Sequence, residues 1–151
     1  MPTRYIRGKN LQITDHASSN PATTTQNPVT CIFIPGLGAS ESFFFPFLPS
    51  LGQYRCITFD LHGSAHSPSQ GEVQTISGIA ADVIAILDAH NVSKAVIVGH
   101  SLGGLVAAYL GAEYRERVLA LVAIAPSVPS QKARERFLAR IEEVKTSASL
   151  P

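Results

Sequence analysis

The 151-residue chain has no tryptophan, one methionine and two cysteines. Cys31 and Cys56 stand in no C-x-x-C pair and share no metal-ligand spacing with any histidine, so neither a disulfide framework nor a zinc site is indicated. Both read as reduced core residues. Charge is sparse as well: Asp, Glu, Lys and Arg make up 15% of the chain, and Lys+Arg exceed Asp+Glu by 12 to 11. Such a balance builds no field to draw the protein onto nucleic acid or an anionic membrane. No apolar run approaches the roughly 18 residues of a membrane span, and no apolar stretch backs the charges at the N-terminus. The expectation is a soluble, cytoplasmic protein with no nucleic-acid and no membrane partner.

What is present points to a packed domain. A hydrophobic fraction of 45% excludes a disordered tail, and 11 Gly with 10 Pro exclude a coiled coil. Tyr5-Ile6-Arg7 and Leu11-Gln12-Ile13-Thr14 flank Gly8-Lys9-Asn10 and suit a small hairpin. Residues 17–28, rich in Ser, Thr, Asn and Pro, read as a surface loop. From Val29 onward, strand-length apolar runs at 29–34, 54–59, 94–98 and 119–124 alternate with helix-length segments. Strands apolar on both faces are what a parallel sheet covered by helices requires. Ile76, Ile79, Ala80, Val83 and Leu87 recur at helical spacing, with Thr75 as N-cap and Asn91 as left-handed C-cap. A second helix is expected over 102–118. Ala133, Phe137, Leu138, Ile141 and Val144 mark the apolar stripe of a third, whose charged face reads as ordinary solvated surface.

Gly99-His100-Ser101-Leu102-Gly103 fits G-x-S-x-G. Three fixed positions arise by chance in roughly one chain in twenty of this length, so the setting matters more than the match. Here the pattern follows an apolar strand and opens a helix, the turn that lifts a serine hydroxyl above a sheet. Gly99 and Gly103 remove the Cβ atoms that would clash in so sharp a turn. The competing reading is an ordinary N-cap serine in a glycine-rich turn.

Ile34-Pro35-Gly36-Leu37-Gly38 follows the first parallel strand, and Asp60-Leu61-His62-Gly63-Ser64-Ala65-His66-Ser67 follows the next. With Gly99 to Gly104, these stretches make the sequence resemble the α/β-hydrolase fold superfamily over nearly all of its length, nearest its enol-lactonase- and esterase-like members. Pro35 replaces the usual histidine of the oxyanion loop, and Ala65 replaces a glycine. The resemblance implies an α/β fold, a mostly parallel sheet with flanking helices, in which Ser101 is the nucleophile of acyl transfer on a small ester, lactone or similar compound without metal or organic cofactor. It implies an oxyanion hole made by the backbone N–H groups of Leu37 and Leu102. Gly36, Gly99 and Gly103 then serve the backbone, and Asp60 orders its own loop through an Asx-type turn. His62 and His66 are placed at the pocket mouth or in solvent. His100 is expected as a packed core residue, pointing away from the nucleophile.

A serine nucleophile needs a base and an acid that orients it, in the chain order Ser, Asp or Glu, His. All five histidines and all four aspartates precede Ser101. The chain therefore reads as one partial domain over 1–151, with its core at 29–126 and the start of a lid region at 128–146, truncated before the strands that carry acid and base. Two readings stand: a serine hydrolase by lineage, impaired in this form, or a non-catalytic fragment that binds a small ligand or a partner chain. With the last strands absent, 119–124 would lie at a sheet edge and invite self-association.

Overall fold

The protein is described by a computed structural model over residues 3–19, 28–69, 71 and 73–146. Most of the expected loop at 17–28 and the tail at 147–151 lie outside the described residues. Among the described residues six strands, β1 (Thr3–Ile6), β2 (Lys9–His16), β3 (Thr30–Ile34), β4 (Arg55–Phe59), β5 (Ala95–His100) and β6 (Val118–Ile124), form one sheet in the order β1-β2-β4-β3-β5-β6. β3 to β6 run parallel, while β1 and β2 are antiparallel additions. Helices α1 (Ile76–Ala89), α2 (Leu102–Glu113) and α3 (Gln131–Thr146) complete the α/β architecture. Among the described residues no helix is long and apolar enough to cross a membrane.

Strand alternation divides the core in two. Ile32, Ile34, Ile57, Phe59 and Ile97 face α1 and α2, where Val83, Ile86, Leu87, Val106 and Leu110 are fully buried. Each such side chain contributes about 1.5–3 kcal/mol by leaving water. Cys31, Phe33, Cys56 and Val98 turn to the opposite face, covered by Phe44 and the 3-10 turns Glu41–Phe44 and Leu48–Leu51. That second cover is thin, and β6 is exposed beyond it: Leu119, Leu121, Val122 and Ile124 keep large solvent-facing areas. On α3, Phe137, Leu138 and Ile141 are likewise exposed.

Local signals account for the ends of α1. Thr75 accepts a hydrogen bond from Gly78 N at 3.0 Å, and Asn91 takes the left-handed conformation (φ 56°) just beyond the helix. Two expectations need correction. The hairpin turn is the pair Arg7-Gly8, with φ of 47° and 81°, and not a loop around Gly8-Lys9-Asn10. Two consecutive positive φ values match the twist of a two-residue hairpin, and Arg7 is held there by bonds to Gly78 O and Asp82. The second helix stops at Glu113, short of the expected end at Val118. Tyr114 leaves helical geometry at φ −130°, Arg115–Arg117 make one 3-10 turn, and Arg117 bonds to Val92 O and Ser93 O. Val118 is then free to pair with Ala95 as the first residue of β6.

At the outer sheet, Arg55 grips Asp15 through two hydrogen bonds of 3.0 and 2.6 Å. The guanidinium holds the Asp15 carboxyl below its ordinary pKa of 3.8, against the opposing effect of burial. A depressed folded-state pKa stabilises the fold above the unfolded-state value, and that stability is lost as pH falls through the folded-state value. Both groups are partly exposed, so the effect stays below about 1 kcal/mol. Asp15→Asn is expected to lower the melting temperature at pH 7, with the gap from the wild type narrowing as pH is lowered below 3.8, as read by circular dichroism.

Candidate active site

β3 lies between β4 and β5, so the chain leaves its C-terminal end toward one side and returns on the other. Open α/β sheets form a crevice at such a reversal of strand order. Two segments meet there, residues 35–38 after β3 and Ser101 after β5.

Ser101 sits between β5 and α2 at φ 53° and ψ −113°, a region costly for any residue with a Cβ. Its backbone is tied down on both sides. The Ser101 N–H donates to Ile124 O at 3.0 Å, and the Ser101 carbonyl accepts from Gly104 N at 3.0 Å and Ser127 N at 3.1 Å. A methyl group at Gly99 would overlap the Gly103 carbonyl oxygen, and one at Gly103 would overlap the Ile34 carbonyl oxygen. These two glycines let strand end, helix start and neighbouring strand approach backbone to backbone.

The loop after β3 closes over this turn. A Cβ at Gly36 would stand 3.2 Å from Ser101 Cβ and 3.1 Å from His100 Nδ1. Gly38 turns at φ 73°, and Ala39 N donates to Gly36 O at 3.2 Å. Leu37 projects its side chain into solvent. Among the described residues, no hydrogen bond engages the N–H of Leu37 or of Leu102. Leu102 opens α2, so its donor has no partner within the helix.

Asp60, fully buried just past β4, ties two loops together rather than making an Asx turn of its own. One oxygen accepts from Glu41 N at 2.7 Å, and the other accepts from His66 N at 3.0 Å and meets His66 Nδ1 at 3.2 Å. The His66 ring is otherwise mostly exposed, and His62 is buried. His100 also departs from expectation, being half-buried instead of packed in the core. Its ring stacks on Phe43 at 4.3 Å, and among the described residues its buried Nδ1 has no hydrogen-bond partner. The cause is the thin cover on this face, where an aromatic turn stands in place of a helix.

Two residues of the site escaped sequence reasoning. Ser127, in the loop after β6, places its hydroxyl 3.1 Å from that of Ser101. With Leu105, Val128, Pro129, Ala133 and Phe137 it lines an apolar recess of about 400 Å³. Glu41, buried in the turn that follows residues 35–38, accepts from Gln12 Nε2 (3.3 Å), Thr14 Oγ1 (3.0 Å) and Thr58 Oγ1 (2.6 Å). A charge beside the run Phe43-Phe44-Phe45 was its one sequence signal; Ser127 had none. Among the described residues, no group of three His, Cys, Asp or Glu side chains could hold a metal ion.

Glu41 thus clamps the loop end to β2 and β4 through neutral donors, which are stranded in the core if the carboxylate is removed. Glu41→Ala is expected to cost about 3 kcal/mol, measured by urea denaturation.

The family model for the alpha/beta hydrolase fold matches residues 30–146. A protein of Variovorax paradoxus (strain S110) named "Putative carbamate hydrolase RutD" is 37% identical over 110 residues, covering 70% of this chain and 41% of the relative. The protein of the same name from Escherichia coli O9:H4 (strain HS) is 33% identical over 109 residues, with 71% and 41% covered. Among solved structures, the enol-lactonase from Burkholderia xenovorans LB400 superposes with a TM-score of 0.85 at 21% identity, covering 97% of this chain and 54% of that one. A thermophilic esterase from Thermogutta terrifontis gives 0.79 at 22% identity, with 96% and 52% covered. The chain spans about two-fifths of the length of these curated relatives and about half that of the solved ones.

Proposed function

The chain belongs to the alpha/beta hydrolase fold family, and from that membership we propose that it carries the nucleophile side of a serine hydrolase acting on a small acyl compound: an ester, a lactone or a carbamate. The observation that carries the reading is the strained conformation of Ser101 at the strand-to-helix turn, with residues 35–38 packed against it. Backbone strain of this kind persists where surrounding contacts enforce it, and it concentrates at reacting groups.

In the proposed reaction the Ser101 hydroxyl oxygen attacks the acyl carbon. The carbonyl oxygen becomes an oxyanion and is met by the N–H groups of Leu37 and Leu102, donors with no other engagement among the described residues. Such preorganised donors are worth about 2.7–4 kcal/mol each in related chemistry. The acyl group extends toward the apolar recess beside Ser127. Asp60 and Glu41 hold the loops and take no part in bond making.

Proton transfer is where this chain is weakest. All five histidines precede Ser101 in sequence, and the hydroxyl partner of Ser101 is Ser127, which is no base at neutral pH. That observation favours a second reading, a chain that binds a small ligand or a partner without turning it over. Loss of triad members lowers turnover by about four to six orders of magnitude, while the oxyanion hole and binding retain roughly 10³- to 10⁴-fold over water. The 151-residue chain is therefore expected to cleave an activated aryl ester slowly and an unactivated ester not measurably, with the slow reaction lost in Ser101→Ala. Efficient Ser101-dependent turnover of the unactivated ester would show that a base acts from elsewhere. Aryl-ester cleavage unchanged in Ser101→Ala would favour the binding reading.

We also propose that β6 mediates self-association. It pairs with β5 on one side, and its seven residues contain neither charge nor proline to block a second strand. Sedimentation is expected to show concentration-dependent association, reduced by Leu121→Lys. A stable monomer at high concentration would count against it.

A further inference from the structure

Two thiols that the functional reading leaves unused stand side by side in the sheet. Cys31 on β3 and Cys56 on β4 are partners in a parallel register, and both are free and buried. Partners in register present their side chains on one face. Neighbouring strands run about 4.8 Å apart, within the roughly 4.4–6.8 Å range of Cα separations that a disulfide spans.

The two thiols are not equivalent. Interaction with the neighbouring Cys56 thiol pulls the Cys31 thiol below its ordinary range against the effect of burial. The same pairing, reinforced by burial, pushes Cys56 up. Access differs in the same sense. Cys31 joins Phe33, Phe47, Val98, Val122 and Ile124 around an open groove of about 370 Å³, whereas Cys56 is not among the groove's lining residues. A small solute entering from the thinly covered face meets Cys31 first.

We propose that Cys31 and Cys56 form a redox-active thiol pair, in which a hydroperoxide oxidises Cys31 and Cys56 then closes a disulfide between β3 and β4. In the first step the Cys31 thiolate attacks one oxygen of hydrogen peroxide. An S–O bond forms, the O–O bond breaks, and the departing hydroxide takes the thiol proton to become water. The sulfenic acid so formed is two electrons more oxidised than the thiol. In the second step the Cys56 sulfur attacks the Cys31 sulfur, the S–O bond breaks, and hydroxide leaves with the Cys56 proton as a second water. The sum is two thiols and one hydrogen peroxide giving one disulfide and two waters. The bond would join the strand that feeds residues 35–38 to the strand that delivers Asp60, so both loops of the candidate site hang from it.

The test uses the fully reduced 151-residue chain treated with hydrogen peroxide, followed by alkylation in urea and mass spectrometry. The expected product is a monomer lighter by about 2 Da, with the Cys31 peptide bonded to the Cys56 peptide and the mass restored by dithiothreitol. Disulfide formation in the native chain is expected to be about tenfold or more faster than in urea, where the pair is dispersed. Cys31→Ala should abolish the reaction. Cys56→Ala should divert it to a Cys31 species heavier by about 32 Da, the sulfinic acid. Circular dichroism checks that the variants fold, and the native-against-urea rate ratio on the unmutated chain decides the matter if they do not. Slower reaction in the native chain than in urea, a disulfide between two chains, or sulfinic acid on wild-type Cys31 with no internal disulfide would each overturn the proposal.

Discussion

At Gly103 the start of α2 lies so close to the Ile34 carbonyl that a methyl group would have no room. This contact brings the end of β3 and the turn after β5 together, and the crevice at the strand-order reversal is built on it. With Gly99 equally pressed against Gly103, three backbone segments share a volume that side chains would otherwise fill. Ser101 is carried to the apex and held there by backbone bonds to Ile124, Gly104 and Ser127. The strain at Ser101 is thus sustained by the backbones around it, and its hydroxyl stays free to hydrogen-bond to a neighbouring side chain.

Buried carboxylates tie the rest of the frame to that crevice, and they are satisfied in different ways. Asp82 on α1 meets Lys9 and Arg7 at 2.7 Å each, pinning the β1–β2 hairpin to the helix by charge. Glu41 relies on hydroxyl and amide donors, and Asp60 on main-chain N–H groups with the His66 ring alongside. Burying charge is costly unless each lone pair finds a donor. Each of these sites therefore fixes the distance between two elements, and removing one acid strands several donors at once. The loops at 35–41 and 60–67 are in this sense one unit, joined through Asp60.

The two faces of the sheet are unequal. One is sealed by α1 and α2, whereas the other is covered by aromatic turns and leaves Val122 and Ile124 exposed. The stacking of His100 on Phe43 and the groove beside Cys31 both follow from that thin cover. β6 carries the unbroken apolar pattern of a strand meant for burial, yet stands exposed. Its composition and its environment disagree more than those of any other strand.

Much of this was written locally in the sequence. Alternation of apolar runs with helical stripes set out the α/β order, and Thr75, Asn91, Gly99 and Gly103 marked a cap, a left-handed position and the tight turn, because each acts through its own backbone and nearest neighbours. The end of α2 was not legible, since Tyr114 and Val118 continue a helical spacing, while the turn that replaces the helix is tied by Arg117 to residues some 25 positions away. Glu41, Ser127, the pairing of Cys31 with Cys56 and the half-buried setting of His100 were equally hidden. Their surroundings depend on strand register and on which turn covers which face. Those are set by contacts between segments far apart in the chain, and no local pattern encodes them.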